Sequence, residues 1–302
     1  MHEDMFKHLQ TREEMKVLVY GRNGWIGGKM WDLLIQNEIE CVAGKARLEH
    51  YGDVRRELMF HAPDRVICAA GLTGRPNIDW CESHREEVMR TNVIATTVLA
   101  DYCSLYGVHL TYFGTGCIYE YDADHPMHCD VGFAEWESPN FSKSFYSKTK
   151  TLTEQVLKEY TNTLILRVRM PLSDDLHPRN FITKIVNYEK VVDVPNSMSV
   201  LAELLPIAVD MMRNSTTGVY NFTNPGTISH NEILDFYKIY IDPTFEYQNF
   251  TLKEQAKILL AGRSNNELDV SKLLTMYPAI EPIQVAIIKL FERMKDNLPI
   301  EV

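Results

Sequence analysis

Hydrophobic residues along this chain fall into short runs separated by longer stretches of mixed polarity. The runs occupy residues 16–21, 39–44, 64–71, 109–115 and 163–170, and they lack a regular alternation of apolar and polar positions. Strands that are buried on both faces of a parallel sheet have this pattern, because helices cover each face. The pattern therefore predicts five buried parallel strands.

The stretches between these runs have the spacing of amphipathic helices. Helices are predicted at residues 25–38, 85–107, 145–160, 230–240 and 251–261. Strands that alternate with helices along a chain indicate βαβ units. We therefore predict an α/β fold, with a Rossmann-type doubly wound parallel sheet and a smaller C-terminal α/β domain that binds the substrate.

The pattern loosens after Met170, where loop-rich stretches become frequent. We expect a Rossmann domain at residues 1–168, in which residues 1–15 form an extension. Residues 169–302 are expected to form mainly the substrate-binding domain. Part of the segment 185–225 is expected to return to the Rossmann sheet.

Composition excludes several classes of partner. Hydrophobic residues make up 45% of the chain and charged residues 24%, as in globular proteins, and the net charge is −10. This acidity argues against a nucleic-acid partner. No apolar run is long enough to cross a bilayer, and the N-terminus lacks the apolar centre of a signal peptide. The six cysteines include no C-x-x-C pair and no cluster with zinc spacing, so we expect no metal site and a reducing, cytoplasmic location.

A glycine-rich turn, "YGRNGWIGG", follows the first predicted strand and opens the first helix. Its G-x-x-G-x-x-G spacing suits a tight turn that lets the backbone approach a pyrophosphate, and the helix N-terminus favours anions. At this position in a βαβ chain, dinucleotide binding is favoured over a merely structural turn. The predicted cofactor contacts lie in this turn and in the "AAG" that follows the third strand: Gly21, Arg22, Asn23, Gly24, Trp25, Ile26, Gly27, Ala69, Ala70 and Gly71.

Basic residues near the second strand indicate which dinucleotide binds. NAD-binding chains usually carry an acid at the end of that strand, whereas this chain has Lys45 and Arg47 there and Arg22 in the glycine turn. Positive charge at these positions suits the 2′-phosphate of NADP. A solvated basic loop is the alternative, above all for Lys45. We predict NADPH as the cofactor, with NADH as the alternative.

A tyrosine and a lysine lie four residues apart in the helix predicted at 145–160. Tyr146 and Lys150 therefore share one helix face, and both are predicted to contact the cofactor as well as to take part in catalysis. A lysine ammonium nearby favours the phenolate and makes the tyrosine a usable proton donor. The pair is common by chance, but here it follows both a glycine turn and the strand-end residue Thr115. Cys117, two residues beyond Thr115, is expected to face the same substrate.

The chain resembles the extended short-chain dehydrogenase/reductases, and most closely the bifunctional nucleotide-rhamnose synthase/epimerase-reductases, which are related to dTDP-4-dehydrorhamnose reductases. The resemblance extends from about residue 16 to about residue 275 and includes the strings "TGCIYEYD", "PNFSKSFYSKTK", "LRVRMP", "HPRNFITKI" and "RSNNELD". It implies an NADPH-dependent 3,5-epimerase/4-reductase that converts UDP-4-keto-6-deoxy-D-glucose to UDP-L-rhamnose.

The same resemblance implies roles for a thiol and an amine. Cys117 and Lys184 match the cysteine and the lysine that exchange protons at carbons 3 and 5 in such relatives. Both carbons flank the ketone, and the hydroxyls of Thr115 and Tyr146 could hold the enolate oxygen. The alternatives are a packed core thiol for Cys117 and a surface or phosphate-facing lysine for Lys184.

Several polar residues are predicted to contact the substrate or to support the site. Arginine suits a pyrophosphate because it offers two parallel hydrogen bonds. The predicted substrate contacts are Thr73, Arg75, Asn77, Asn180 and Arg263. Asn92 matches a residue that relatives use to brace the active-site lysine.

Two other functions stay open from the sequence. One is a dTDP-4-dehydrorhamnose-type reductase without epimerase activity, which receives substrate already epimerised elsewhere. The other is a non-catalytic, NADP-binding regulatory subunit. Cys117 argues against the first, and the presence of Thr115, Tyr146 and Lys150 argues against the second. Relatives usually pair through two helices, so we expect a homodimer.

Overall fold

A six-stranded parallel sheet forms the centre of the molecule. The computed structural model describes residues 15–297. The strand order is β2-β1-β3-β4-β5-β6, and every neighbouring pair is parallel. The strands are β1 Lys16–Tyr20, β2 Glu40–Ala43, β3 Arg65–Cys68, β4 His109–Thr115, β5 Thr163–Val168 and β6 Gly218–Asn221. The prediction of a doubly wound parallel sheet is confirmed. The order reverses between β1 and β3, where ligands bind in such sheets.

Helices connect the strands and form most of the C-terminal part. In the part of the chain that the structure describes, no helix has both the length and the apolar character needed to cross a bilayer. The α-helices are α1 Trp25–Gln36, α2 Tyr51–His61, α3 Trp80–Ser83, α4 Arg85–Val88, α5 Thr96–Leu105, α6 Phe145–Leu157, α7 Phe181–Val186, α8 Leu201–Arg213, α9 His230–Tyr240, α10 Leu252–Ile258, α11 Ser271–Met276 and α12 Ile283–Asn297.

The single helix predicted at residues 85–107 is divided in the structure. A π-helix, Met89–Ala95, lies between α4 and α5 and widens the turn around Asn92. The carbonyl oxygen of Asn92 accepts a hydrogen bond from Thr153 Oγ1 of α6 at 2.7 Å. The expected extension at residues 1–15 lies outside the described residues, except for Met15.

Helices cover both faces of the sheet, as the uninterrupted apolar strands require. Along β1, Val17 and Val19 face one buried cluster, whereas Leu18 and Tyr20 face another. The first cluster lies under α1 and α8, and the second lies under α2 and α5. Because successive side chains of a strand point to opposite faces, both helix layers bury apolar surface of the same strand.

The C-terminal part contributes a third buried cluster. It is built mainly from α7, α9 and α12, and it includes Ile233, Ile287 and Phe291. Ile182 and Ile185 of α7 are buried in this cluster and fix the helix on it. The cluster thereby positions Lys184, which is the only lysine of α7.

A buried ion pair connects α6 to the sheet. Arg167 of β5 has no exposed surface, and its guanidinium donates to the carboxylate of Glu154 at 2.6 and 3.0 Å. Asn221 Oδ1 accepts a further bond at 3.1 Å. The pair anchors α6 against the strand that lies beside Thr115.

Replacing Glu154 with glutamine is expected to destabilise the protein by about 3–5 kcal/mol, because it leaves the Arg167 charge buried without a counter-charge. Urea denaturation followed by circular dichroism measures the change. Lys158→Ala is the matched control, since Lys158 pairs with the same carboxylate at 3.2 Å but lies partly in solvent. That variant should lose no more than about 1 kcal/mol. Equal losses in the two variants would contradict the prediction.

Candidate active site

The glycine turn lies at the carboxyl end of β1, at the point where the strand order reverses. Gly21 has a φ of 86°, in the left-handed region that favours glycine. A Cβ at Gly27 would lie 2.0 Å from the carbonyl oxygen of Gly21, and one at Gly21 would lie 2.6 Å from the backbone of Ala70. No side chain fits at either position. The turn therefore presents bare backbone and the N-terminus of α1, which suits a pyrophosphate.

A cavity of about 530 Å³ opens over this turn. Its volume falls within the range of small-molecule sites, roughly 300–1,000 Å³. Tyr20, Thr91 and Glu49 also contribute to its wall. Of the predicted cofactor residues, the cavity is lined by Gly21, Arg22, Asn23, Gly24, Lys45, Arg47, Ala70 and Gly71. The structure therefore brings eight of the predicted contacts to one cavity.

Positive charge surrounds the outer part of this cavity. The side chains of Arg22, Lys45 and Arg47 are exposed. Arg47 Nε lies 3.6 Å from Glu49, whose carboxylate also accepts a hydrogen bond from Thr91. The sequence did not predict Glu49, which lines the cavity and forms this ion pair with Arg47. The cationic rim and the bare glycine turn together fit a phosphorylated dinucleotide.

The predicted reductase residues meet where β4 ends and α6 begins. Tyr146 lies in the first turn of α6, after the capping residue Ser144, and its phenol lies near enough to Thr115 for that hydroxyl to influence its pKa. Burial raises the pKa of Tyr146, and the nearby Thr115 only partly opposes this rise. The expected preference for the phenolate is therefore absent, because burial favours the neutral form. A neutral phenol is the form that donates a proton.

Lys150 lies one helical turn further along α6. Its amine donates to Tyr112 Oη and to the carbonyl oxygen of Phe113, the latter at 3.2 Å. Burial lowers the pKa of Lys150 to about 8. The strand β4 thus carries Thr115 at its end and holds Lys150 in place through Tyr112 and Phe113.

Cys117 follows Thr115 and lies on the same edge of the site. Its N–H donates to Thr115 Oγ1 at 3.1 Å, and its carbonyl oxygen accepts from Ser147 Oγ at 2.6 Å. Its side chain is partly accessible. Cys117 influences the pKa of Tyr146 and that of Lys184, so its side chain lies within electrostatic reach of both.

Lys184 is carried by α7 and is mostly enclosed. Burial lowers the pKa of Lys184, and the positive charge of Arg179 lowers it further. Lowering the pKa of an amine brings proton exchange closer to neutral pH. The site therefore brings two hydroxyl side chains together with a thiol and an amine.

A family model, the RmlD substrate-binding domain, matches residues 15–236 of the chain. The match covers the glycine turn, the residues from Thr115 to Lys150, and Lys184.

The chain belongs to the RmlD substrate-binding domain family.

Relatives of this RmlD-family chain carry names that describe nucleotide-sugar enzymes. It is 54% identical, over 90% of its length and 91% of the relative's, to the bifunctional dTDP-4-dehydrorhamnose 3,5-epimerase/dTDP-4-dehydrorhamnose reductase of Arabidopsis thaliana. It is 51% identical, over 92% of its length, to a trifunctional UDP-glucose 4,6-dehydratase/UDP-4-keto-6-deoxy-D-glucose 3,5-epimerase/UDP-4-keto-L-rhamnose-reductase of the same plant, and it spans 42% of that longer protein.

A solved structure shows the same fold. The UDP-rhamnose synthase from Acanthamoeba polyphaga mimivirus superposes with a TM-score of 0.89 at 37% sequence identity. The alignment covers 93% of this chain and 99% of that one. The RmlD-family fold therefore extends over nearly the whole described chain, including the part that carries Lys184.

The predicted role of Asn180 in the RmlD-family site is not supported by its surroundings. Asn180 is fully buried and caps the N-terminus of α7 by accepting from the N–H of Ile182. Its amide nitrogen donates to the carbonyl oxygens of Ser173 and Asp175 at 2.7 and 2.6 Å. All of its polar atoms are engaged, so it shapes the loop that leads to Lys184 and does not reach a pyrophosphate.

The side chain of Asn92 also has other partners than expected. Its Oδ1 accepts from the N–H of Leu72 at 2.7 Å, and its Nδ2 donates to the carbonyl oxygen of Leu72 at 2.8 Å. These two hydrogen bonds fix the backbone of Leu72, the residue after Gly71. The side chain of Asn92 therefore braces the wall of the cofactor cavity, and the contacts of Lys150 are to Tyr112 and Phe113.

The other predicted substrate residues surround an arginine that the sequence analysis missed. Arg179 donates to Thr73 Oγ1 at 2.6 Å and to the carbonyl oxygen of Gly74 at 3.0 Å. Burial lowers the pKa of Arg179, and the nearby Arg75 lowers it further. Asn77 Oδ1 accepts from the N–H of Asp79 at 2.8 Å. The quoted string "HPRNFITKI" contains Arg179, but the fold alone shows that it faces Thr73.

Arg263 lies further out and is already paired. Its guanidinium donates to Asp79 at 2.8 Å and to the carbonyl oxygen of Ala261 at 2.7 Å. The pair is half-buried, with about a fifth of each side chain exposed: 22% for Arg263 and 20% for Asp79. A contact from Arg263 to a pyrophosphate stays a prediction.

Trp25 connects the glycine turn to the loop before α7. Its indole stacks on the ring of His177 at 5.4 Å between centroids, and its Nε1 donates to Asp175 at 3.0 Å. Lys29 of α1 pairs with the same carboxylate at 2.6 Å. The glycine turn and the loop that carries Arg179 are therefore held together.

Proposed function

We propose that this chain is an NADPH-dependent 3,5-epimerase/4-reductase that converts UDP-4-keto-6-deoxy-D-glucose to UDP-L-rhamnose. The observation that carries the proposal is the placement of Cys117 beside Thr115 and Tyr146 and within electrostatic reach of Lys184. A ketone reductase needs the hydroxyl pair and Lys150, but it needs no thiol. Inversion at carbon requires two acid–base groups in addition. The names of the relatives support both activities.

The chemistry of the substrate suits this set of side chains. Carbons 3 and 5 flank the C4 ketone, so each can lose a proton when the oxygen at C4 is stabilised as an enolate. Thr115 and Tyr146 are the hydroxyls that hold that oxygen. Cys117 and Lys184 act from opposite faces of the sugar, so that one removes a proton and the other returns one. The returned proton enters from the other side, and the carbon is inverted.

The cofactor cavity supports NADPH as the reductant. The glycine turn and the N-terminus of α1 would hold the pyrophosphate, and Arg22, Lys45 and Arg47, which line the same cavity, would bind the 2′-phosphate. Bound NADPH supplies the hydride that reduces the C4 ketone. Tyr146, neutral because of its burial, donates the proton that the C4 oxygen requires.

Replacing Arg47 with alanine is expected to weaken NADPH binding by about 10- to 100-fold, because a charge-assisted contact to the 2′-phosphate is lost. NADH binding should stay within about twofold, since NADH lacks that phosphate. Fluorescence titration of both dinucleotides measures the difference. Arg55→Ala is the matched control, because Arg55 donates to Tyr106 on the surface. An equal loss of affinity for the two dinucleotides would show that Arg47 does not contact the 2′-phosphate.

Positive side chains near the sugar site support a nucleoside diphosphate as the rest of the substrate. Arg75 and Arg179 lie beside each other, and Thr73 completes the same wall. We assign these residues, with Asn77 and Arg263, to the UDP moiety. The string "TGC" provides no acidic residue beside Thr115. A separate 4,6-dehydratase active site must therefore produce the ketone.

Two further proposals concern assembly and location. Four apolar side chains are exposed on the π-helix, α5 and α6: Ile94, Leu105, Leu152 and Val156. They support a homodimer that pairs through these helices, which light scattering after size exclusion would detect. All six cysteines are free thiols, which supports a reducing, cytoplasmic location.

One assay tests the proposed function directly. The purified protein receives NADPH with UDP-4-keto-6-deoxyglucose or with its dTDP counterpart, and NMR identifies the sugar formed. UDP-L-rhamnose is the expected product. A product with unchanged carbons 3 and 5 would indicate a reductase alone. Failure to oxidise NADPH with either substrate would favour the non-catalytic alternative.

A further inference from the structure

Two arginines that lie two residues apart in sequence are both fully buried, but they differ in their counter-charges. Arg167 is neutralised by Glu154 at 2.6 Å. Arg169 also has no exposed surface, yet no carboxylate within residues 15–297 lies within ion-pair distance of it. A buried charge without a counter-charge is strongly unfavourable. The environment of Arg169 must therefore supply negative charge in another form.

The contacts of Arg169 point to one acidic group. Its Nη1 donates to Cys117 Sγ at 3.4 Å, to Ser264 Oγ at 3.0 Å and to the carbonyl oxygen of Gly116 at 3.5 Å. Its Nη2 donates to Asn196 Oδ1 and to the carbonyl oxygen of Ser264. The serine, amide and backbone oxygens are neutral. They fix the guanidinium in place and leave the thiol as the one partner in contact that can ionise.

The other titratable groups near Arg169 do not provide the charge. Burial raises the pKa of Tyr121, so its phenol stays neutral. Burial lowers the pKa of His230 to about 4, so its imidazole also stays neutral. An arginine side chain stays protonated in proteins. Cys117 is therefore the group that can balance the charge of Arg169.

The groups that face Cys117 from helices α6 and α7 do not oppose ionisation of its sulfur. Tyr146 of α6 stays neutral because burial raises its pKa. Lys184 of α7 is cationic in its protonated form, and a positive charge there also favours an ionised sulfur.

We propose that Arg169 is a positioning residue that holds Cys117 as a thiolate, ready to accept a proton from the sugar. The use of this thiolate in epimerisation rests on the proposed function, whereas its formation does not. When the thiolate takes a proton from carbon, it becomes a thiol and the electron pair of the C–H bond passes to the enolate. The enolate carbon then receives a proton from Lys184 on its other face.

The test measures thiolate formation without any substrate. The full-length protein reacts with iodoacetamide from pH 5.5 to 9.5, and mass spectrometry follows the peptides that contain Cys117 and Cys129. Cys129 is exposed and serves as the reference thiol in the same sample. In the wild type, the alkylation of Cys117 should reach its plateau at a pH lower by about one unit or more than that of Cys129. Coinciding profiles in the wild type would overturn the proposal.

Arg169→Met removes the charge while retaining the volume of the side chain. At neutral pH, this variant should alkylate Cys117 about tenfold more slowly than the wild type, relative to Cys129. Arg169→Lys keeps a positive charge and should recover part of the rate. An unchanged rate in the folded methionine variant would also overturn the proposal. If that variant does not fold, the wild-type profiles and the lysine variant decide the question.

A second measurement connects the charge to the chemistry. In D2O, Arg169→Lys should exchange the protons at carbons 3 and 5 with a pH profile moved toward higher pH, whereas a general loss of structure would lower the rate equally at every pH. Failure of the sugar assay would leave the alkylation result standing. Conversely, if the protein epimerised the sugar but Cys117 were alkylated with the same pH profile as Cys129, only the role assigned to Arg169 would be overturned.

Discussion

Replacing Cys117 with alanine is expected to abolish deuterium incorporation at carbons 3 and 5 in D2O, with a loss of about 10²–10⁴-fold in the exchange rate. The methyl group of alanine can neither accept nor return a proton. Reduction of UDP-4-keto-L-rhamnose, which is already epimerised, should persist, because Thr115, Tyr146 and Lys150 are intact in this variant. NMR and mass spectrometry of the sugar separate the two steps.

Cys129→Ala is the matched control for this variant, because Cys129 is the exposed thiol of the surface loop. It should behave like the wild type in both steps. If Cys117→Ala lost both activities, the thiol would have a structural role in the site and not a specific role in proton transfer. If it lost neither, inversion would depend on other residues, and Cys117 would be a packed thiol.

Replacing Tyr146 with phenylalanine is expected to slow the reduction of the same pre-epimerised substrate by about 10²–10⁴-fold. The variant keeps the ring and its packing, but it loses the proton donor for the C4 oxygen. Exchange at carbons 3 and 5 should also slow, since the enolate loses one of its two hydroxyl donors. Stopped-flow oxidation of NADPH measures the first effect, and deuterium incorporation measures the second.

Tyr106→Phe provides the comparison, because Tyr106 accepts from Arg55 at 3.0 Å on the surface, away from the site. Binding of NADPH should stay unchanged in both tyrosine variants. A normal rate of reduction in Tyr146→Phe would show that another group donates the proton to the C4 oxygen. The retained affinity for NADPH would exclude a loss caused by an empty cofactor site.

The sequence predicted the elements whose burial pattern is strong, and it missed those whose pattern is weak or interrupted. The strand β4, His109–Thr115, and the helix α9, His230–Tyr240, have the predicted bounds. The helix α8 was missed because Pro206 lies inside it, although its buried face packs on α1. Local rules treat an internal proline as a break, whereas tertiary packing decides here. The strand β6, Gly218–Asn221, is too short for its pattern to be read.

The candidate site divides in the same way. Thr115, Cys117 and Tyr146 lie in short continuous motifs, whose residue spacing can be recognised from the sequence alone. Arg169 depends on residues from distant segments, such as Asn196 and Ser264, which converge only in the fold. An arginine at the end of a buried strand was the available signal, because such a charge requires a partner. The identity of that partner could come only from three-dimensional contacts.

The stacking of Trp25 on His177 has a practical consequence for engineering this protein. The indole belongs to the phosphate-binding turn, whereas Asp175 and His177 belong to the segment that leads to Lys184. A graft that exchanges this turn for that of an NAD-specific enzyme would remove the indole and release the segment. Exchanging the loop to change the cofactor preference would therefore also slow the epimerisation step. Retaining Trp25 in the new loop would avoid this loss.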